Sequence, residues 1–329
     1  MPTDMVKTVW LEKNGGPEVL QIVERPLIAP EPDEVQVRHR AIGMNFIDVY
    51  FRDGLYPGAL PHGLGFEAAG DIVAVGSNVT DFQVGDRVAY GQSPIGAYTE
   101  ARNMPTDTLV KLPDEISYEE AAAMMLKGLT VQYLFRQTYR LEPGETILFH
   151  AAAGGVGLIA CQWAKALGVK LIGTSSTAEK MQLAKDHGAW EMINYTQEDV
   201  VERVRALTDE QMLPVVYDSV GKETWETSLD CLRPRGLMVS FGNASGPVSD
   251  VNLGILAAKG SLYVTRPILG TYVADPAVMR RSAKELFDLV VAGQIKINIG
   301  QRYRLEEVAQ AHEALVTRQT TGATIFTLD

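Results

Sequence analysis

HAAAGGVG, His150 to Gly157, follows the apolar run ETILF (145–149) and opens the helical pattern LIACQWAKALG (158–168). Strand, glycine turn and helix in that order form a unit that seats a dinucleotide pyrophosphate. The helix N-terminus turns its unpaired N–H groups and positive dipole end toward the phosphates. Aligned to G-x-G-x-x-G, the three positions are Ala152, Gly154 and Gly157. Gly154 lets backbone N–H groups approach the pyrophosphate, and Gly157 lets the helix pack closely on the strand. Ala152 holds the tight-turn position, where a small side chain is tolerated if its φ is negative.

Downstream of this turn, VKLIGTS, EMINY, PVVYDSV, GLMVSFG and GSLYVTRP are apolar strand candidates, and TAEKMQLAKDHG and EDVVERVRALT are helical segments between them. Strands alternating with helices predict an α/β fold, a Rossmann doubly wound parallel sheet. Upstream the texture differs. VQVRHRA (35–41) alternates like a half-buried strand, and AAGDIVAVGSNVTDFQVGDRVAY (68–90) reads as short strands punctuated by turns. The change comes at ISYEEAAAMMLKGLTVQYLFRQ, where Ser117 and Glu120 form a capping-box pattern ahead of an Ala-rich helix. The tail carries two more helical patterns, AVMRRSAKELFDLVVAG and LEEVAQAHEALVT, and ends in the strand-like ATIFTL. It is expected to rejoin the first region. The expected domains are therefore 1–125 with 266–329, and 126–265, with a cleft between them.

A chain of 329 residues with 46% hydrophobic and 22% charged residues has room for two globular domains, and no window offers the ~20 apolar residues of a membrane span. MPTDMVKTVW does not read as a secretory signal, so a cytoplasmic location is expected. Cys161 and Cys231 stand far apart among apolar residues and read as inert buried thiols. With 30 basic against 41 acidic residues, a net charge of −11 disfavours a nucleic-acid surface but leaves room for a local phosphate pocket.

The end of the second strand of the βαβ unit selects the cofactor. An acid about 20 residues past the glycines would bind the ribose 2′-hydroxyl of NAD. Here GTSSTAEK places Ser175, Ser176 and Lys180 at that point. Hydroxyls and an ammonium accept a 2′-phosphate that a carboxylate would repel, so NADPH is expected.

GFEAAGDIVAVGSNVTDFQVGDRV (65–88), together with the turn, resembles the medium-chain dehydrogenase/reductase superfamily, whose N-terminal catalytic domain is a β-rich, chaperonin-10-like fold. The superfamily's alcohol dehydrogenases hold zinc with a Cys in an early loop and the His of a G-H-E signature. Those places read GMNFIDVY and Gly65-Phe66-Glu67 here, and neither Met44, Asn45 nor Phe66 supplies a thiolate or imidazole. A metal-free member is expected. EPGETILFHAAAGGVGLIACQWAK, NFIDVYFRDGLYP, LKGLTVQYL, VVYDSVG and GLMVSFGN resemble the quinone oxidoreductase, or zeta-crystallin-like, branch across essentially the whole chain.

That resemblance implies Asn45 and Asp48 near the nicotinamide ribose, Tyr133 beside the cofactor, and Gly155 and Val156 at the pyrophosphate. It implies Ser176, Lys180 and Tyr195 around the 2′-phosphate. Ser219, Phe241, Gly242, Asn243, Ala244, Pro267, Ile268 and Leu269 would line the remaining groove, with Arg318 reaching in from the tail, and the chain would form a homodimer near GSLYVTRP. Tyr56, in GLYPGALPHG, is the candidate for orienting or protonating an acceptor oxygen, while His62 and His150, each without a placed partner, read as structural. Without a metal to polarise a carbonyl, the chemistry reduces to positioning a nicotinamide against an electron-poor acceptor. The expected activity is NADPH:quinone oxidoreduction. An enone or alkenal reductase is the alternative within the same chemistry, and a non-catalytic NADPH- or RNA-binding crystallin-like protein is the alternative of another class.

Overall fold

A computed structural model describes residues 4–328. The chain divides into two compact units, Met1–Thr130 with Val273–Gly293 and Ile297–Asp329, and Val131–Tyr272 with Gln294–Lys296.

The first unit is β-rich. β1 (Met5–Leu11) lies between β2 (Leu20–Pro26) and the short β4 (His62–Gly63), both antiparallel to it. A larger sheet is built on β3 (Glu34–Met44), which alternates half-buried and buried residues before running into continuous burial at its end. β3 pairs antiparallel with β5 (Glu67–Val75) and with β7 (Ala101–Pro105), and β6 (Arg87–Gly91) and β8 (Val110–Lys111) extend the sheet beyond β5. Helix α1 (Phe46–Asp53) leaves the buried end of β3 and stops at Gly54, whose φ of +87° suits glycine. Ser117 caps α2 (Tyr118–Tyr133): its hydroxyl donates to the Glu120 carboxylate at 2.7 Å and accepts the Glu120 N–H at 3.2 Å.

The second unit is a six-stranded parallel sheet. β9 (Thr146–Phe149), β10 (Lys170–Ser175) and β11 (Glu191–Asn194) alternate with α3 (Gly155–Ala166) and α4 (Ala178–Asp186). After α5 (Val200–Leu207) the chain returns to the other side of β9 with β12 (Leu213–Asp218), α6 (Trp225–Asp230) and β13 (Leu232–Ser240). α7 (Gly254–Ala258), β14 (Tyr263–Thr265) and α8 (Leu269–Tyr272) complete it. The strand order β11-β10-β9-β12-β13-β14 is the doubly wound order, and it reverses between β9 and β12. Every residue of β12 is buried, as expected of a strand covered on both faces.

The tail returns to the first unit. After α9 (Pro276–Val291), β15 (Ile299–Arg304) and α10 (Val308–Val316), β16 (Ala323–Thr327) pairs antiparallel with β3 and parallel with β15. Phe326, Leu305, Val308 and Ala311 thereby join the core of Val35, Ile42, Leu64 and Ile72. Among the described residues no helix is long and apolar enough to cross a membrane.

Candidate functional site

In the second unit, all the candidate residues except Tyr133 follow the carboxyl ends of the six strands. Gly154 to Gly157 come after β9, Ser176 and Lys180 after β10, and Tyr195 after β11. Ser219 comes after β12, Phe241 to Ala244 after β13, and Pro267 to Leu269 after β14. Ligands of doubly wound sheets bind on this side, since loops diverge there where the strand order reverses.

The turn itself is tight. Ala151 carries its left-handed φ of +55°, while Ala152 is fully buried and donates its N–H to the Thr174 carbonyl at 3.2 Å. A Cβ on Gly157 would stand 2.5 and 2.6 Å from the Ala152 and Ala151 carbonyl oxygens, so only glycine lets the turn fold onto α3. At Gly154, the N-cap of α3, a Cβ would meet only the Ala151 oxygen, at 3.3 Å, so the side facing the helix N-terminus is open. A phosphate fits such a cradle.

Past β10, Thr177 caps α4 by accepting the Lys180 N–H at 3.3 Å, which places Lys180 in the helix's first turn. Ser175 Oγ is buried with no hydrogen-bond partner, and the Ser175 carbonyl accepts the Tyr195 N–H at 3.2 Å. Hydroxyls, a lysine and a helix N-terminus thus gather beside an exposed tyrosine, a set suited to a phosphate rather than a ribose hydroxyl. The loops after β12 and β13 are also joined: Phe241 N–H donates to the Asp218 carbonyl at 2.8 Å and Ala244 N–H to the Ser219 carbonyl at 3.1 Å. Tyr133 stacks on Tyr272 of α8, centroids 4.6 Å apart, which ties it to the segment carrying Pro267 to Leu269.

Two buried residues missed by sequence reasoning organise these loops. Asp218 accepts four bonds: Val220 and Gly221 N–H at 2.7 and 3.0 Å, and the Thr224 and Ser228 hydroxyls at 2.6 and 2.7 Å. Ser228 Oγ is also 3.0 Å from His150 Nε2, and His150 Nδ1 is 3.0 Å from Thr174 Oγ1. Because the Ser228 hydrogen goes to Asp218, Nε2 carries the imidazole proton and Nδ1 accepts from Thr174. Burial holds the His150 pKa below its usual value, keeping the ring neutral.

The first unit gathers Asn45 and Asp48 at the start of α1. Asn45 N–H donates to Asp48 Oδ2 at 2.8 Å, and Asn45 Nδ2 donates to Glu67 Oε2 at 2.7 Å. Glu67 also accepts from Lys127 Nζ at 2.9 Å and Leu126 N–H at 2.8 Å, a buried ion pair. Tyr98 OH donates to Asp48 Oδ2 at 2.6 Å; His312 Nε2 is 3.4 Å from that hydroxyl, and Arg52 Nη1 is 3.2 Å from His312 Nδ1. Arginine only donates, so Nδ1 accepts and Nε2–H points at Tyr98. Asp48 Oδ1 is buried without a partner, and burial, outweighing the Tyr98 bond, pushes the Asp48 pKa up to about 7. Burial, with Arg52 beside it, lowers that of His312 to about 3.

Phe66, at the zinc-histidine position of the G-H-E signature, packs into an aromatic cluster. Its ring lies 5.2 Å from that of Phe51, which meets Tyr56 edge-on at 5.8 Å and His62 at 6.4 Å. Tyr56 also touches Tyr50, centroids 5.1 Å apart. His62 Nδ1 is 2.7 Å from the Gly63 carbonyl, and its Nε2 is buried without a partner. Arg318, exposed and in the left-handed region at φ +60°, follows the end of α10. Among the described residues no three His, Cys, Asp or Glu side chains are grouped to hold a metal ion. Cys161 and Cys231 are both buried free thiols, and burial pushes each up to about 12.

Residues 31–114 match the family described as Alcohol dehydrogenase GroES-like domain, and residues 155–290 match Zinc-binding dehydrogenase. A Quinone oxidoreductase of Pseudomonas aeruginosa is 62% identical over 323 residues, covering 98% of this chain and 99% of its own. The crystal structure of Escherichia coli quinone oxidoreductase complexed with NADPH superposes with a TM-score of 0.97 at 54% identity, covering 98% of this chain and 100% of that one. A 2-haloacrylate reductase of Burkholderia is 42% identical over 329 residues, covering 98% of this chain and 99% of its own.

Proposed function

The chain belongs to the quinone oxidoreductase family of medium-chain dehydrogenases/reductases, and on that premise we propose that it is an NADPH:quinone oxidoreductase. The observation that carries the cofactor is the β10 end, where Ser175 and Ser176 stand in place of a ribose-binding acid and Lys180 follows in the first turn of α4, beside that turn's one acid, Glu179. We assign 126–265 to NADPH binding and 1–125 with 266–329 to catalysis.

Bound NADPH supplies the hydride. In our reading the start of α3, through Gly154, Gly155, Val156 and Gly157, holds the pyrophosphate; Ser176, Lys180 and Tyr195 hold the 2′-phosphate. Ser219, Phe241 to Ala244, Pro267 to Leu269, Tyr133 and Arg318 line the rest. Asn45 and Asp48 orient the nicotinamide ribose, and Asp48, protonated near neutral pH, keeps a proton within the buried network. Tyr56 orients the acceptor oxygen from an aromatic wall suited to a flat quinone ring. The zinc in the family description does not fit this chain: Phe66 and Asn45 offer no thiolate or imidazole, and no step passes through a metal.

The test is NADPH and NADH consumption against a quinone panel and an enone panel. Quinone turnover with NADPH preferred is the expected result, and an enzyme inert toward every quinone overturns it. A second reading, reduction of an activated carbon–carbon double bond, draws on the 2-haloacrylate reductase likeness and is decided by the enone panel. We also propose a homodimer through the outer edge of β14, where Tyr263 is 62% exposed; sedimentation as a monomer overturns it. A cytosolic setting agrees with the two free thiols.

A further inference from the structure

His150 sits just past β9, the strand beside which the chain reverses its direction across the sheet, and it contacts three neighbours. Its N–H donates to the Tyr217 carbonyl of β12 at 3.0 Å. Its two ring nitrogens reach Thr174 of β10 and Ser228 of α6. Ser228 in turn is fixed by Asp218, whose remaining bonds shape the loop carrying Ser219. One neutral imidazole therefore splices the Asp218-bonded loop after β12 to the end of β10. Thr174 is tied on both sides, since its carbonyl accepts the Ala152 N–H of the glycine turn. Ser175 and Ser176 follow it directly, and Lys180 comes within the next helical turn.

Resting on the NADPH reading above, we propose that the Thr174–His150–Ser228 bridge is a cofactor-selectivity device, and that Thr174 and His150 are positioning residues for the 2′-phosphate. The physical reason is register. A lysine and a hydroxyl discriminate by charge-assisted bonds only when both meet the same phosphate, and such bonds weaken steeply with misplacement. The bridge fixes the strand end from which both are launched. NADH carries no 2′-phosphate and so does not read that register.

Calorimetric titration of the full-length protein with NADPH and with NADH, no acceptor present, tests the proposal. Thr174→Val keeps the shape and removes the hydroxyl. It is expected to weaken NADPH about three- to tenfold, the equivalent of one neutral hydrogen bond, with NADH unchanged. Thr174→Ser restores the hydroxyl and the wild-type ratio. Ser228→Ala, breaking the bridge at its other end, gives the same selective loss. Equal weakening of both cofactors, or an unchanged ratio, overturns the proposal, because a purely structural role would lower the melting temperature without choosing between them. If Thr174→Val does not fold, His150→Gln, whose amide both accepts and donates, must keep the ratio that His150→Leu loses; a retained ratio in His150→Leu overturns the proposal. A wild-type protein that binds NADH as tightly as NADPH overturns the cofactor reading itself, before any variant is made.

Discussion

The two units each contain a buried donor chain that runs through a neutral histidine and a hydroxyl to an aspartate. In the second unit it is Thr174, His150, Ser228 and Asp218; in the first it is Arg52, His312, Tyr98 and Asp48. The difference lies at the acid. Asp218 has donors on both oxygens, whereas Asp48 receives bonds only at Oδ2 and leaves Oδ1 unpartnered. Donors on both oxygens make the Asp218 side chain a fixed anchor for the loop after β12. The Asp48 carboxyl is held at a single oxygen, and burial drives its value up to about 7. The same architecture thus yields a positioning group in one unit and a proton-holding group in the other.

Removing the anchor should have the largest effect. Asp218→Ala removes the acceptor of two buried and two part-buried donors, a buried donor costing about 1–3 kcal/mol when unsatisfied, and the expected loss is about 3–5 kcal/mol in urea unfolding. A loss under about 1 kcal/mol would mean the loop after β12 does not depend on it.

The proton-holding acid should respond to pH instead. Asp48 titrates at about 7 folded against 3.8 unfolded, so its stabilising protonation is full below pH 3.8 and is lost as pH rises through 7. Measured against Asp48→Asn, which is fixed in the neutral form and shares every other titrating group, wild-type stability should fall by about 2–3 kcal/mol between pH 5 and pH 8. His39 and His312, both lowered to about 3, act in the opposite sense: their contribution is present above 6.5 and lost as pH falls toward 3. An unchanged alkaline slope in Asp48→Asn removes the distinction between the two acids.

At the phosphate side, Lys180→Ala should weaken NADPH about tenfold to a hundredfold, the value of a charged hydrogen bond, and leave NADH unchanged. Equal weakening of both cofactors would place Lys180 away from the 2′-phosphate.

The second unit was the more legible in sequence, for a physical reason. Parallel strands covered on both faces read as short apolar runs, and the loops at their carboxyl ends carry their function in contiguous letters such as HAAAGGVG and GTSSTAEK. All six strands were marked this way. The first unit writes its site across the chain: His312 meets Tyr98, and Arg52 meets His312, from segments hundreds of residues apart. No local pattern joins them, because the tail enters that unit's core only once β16 pairs with β3. His150 was visible but looked solitary, since its partners Thr174 and Ser228 lie on other elements. The strained residue of the turn, Ala151 rather than its neighbour, was equally beyond a one-dimensional pattern.

The smallest expected effect is the one that tells a wall from a working hydroxyl. Tyr56 packs by its ring on Tyr50 and Phe51, and Phe51 packs on Phe66, so the ring's place is fixed by aromatic contact. Tyr56→Phe keeps every one of those ring contacts and removes only the oxygen. If that oxygen orients the quinone, kcat/KM for the quinone should fall about threefold, within the range of one neutral hydrogen bond, with NADPH affinity unchanged. Tyr56→Ala, which also opens the wall, should fall further. A Tyr56→Phe variant with wild-type kcat/KM beside a crippled Tyr56→Ala leaves the ring as the whole contribution. The proton-holding function of the first unit would then rest on Asp48 alone.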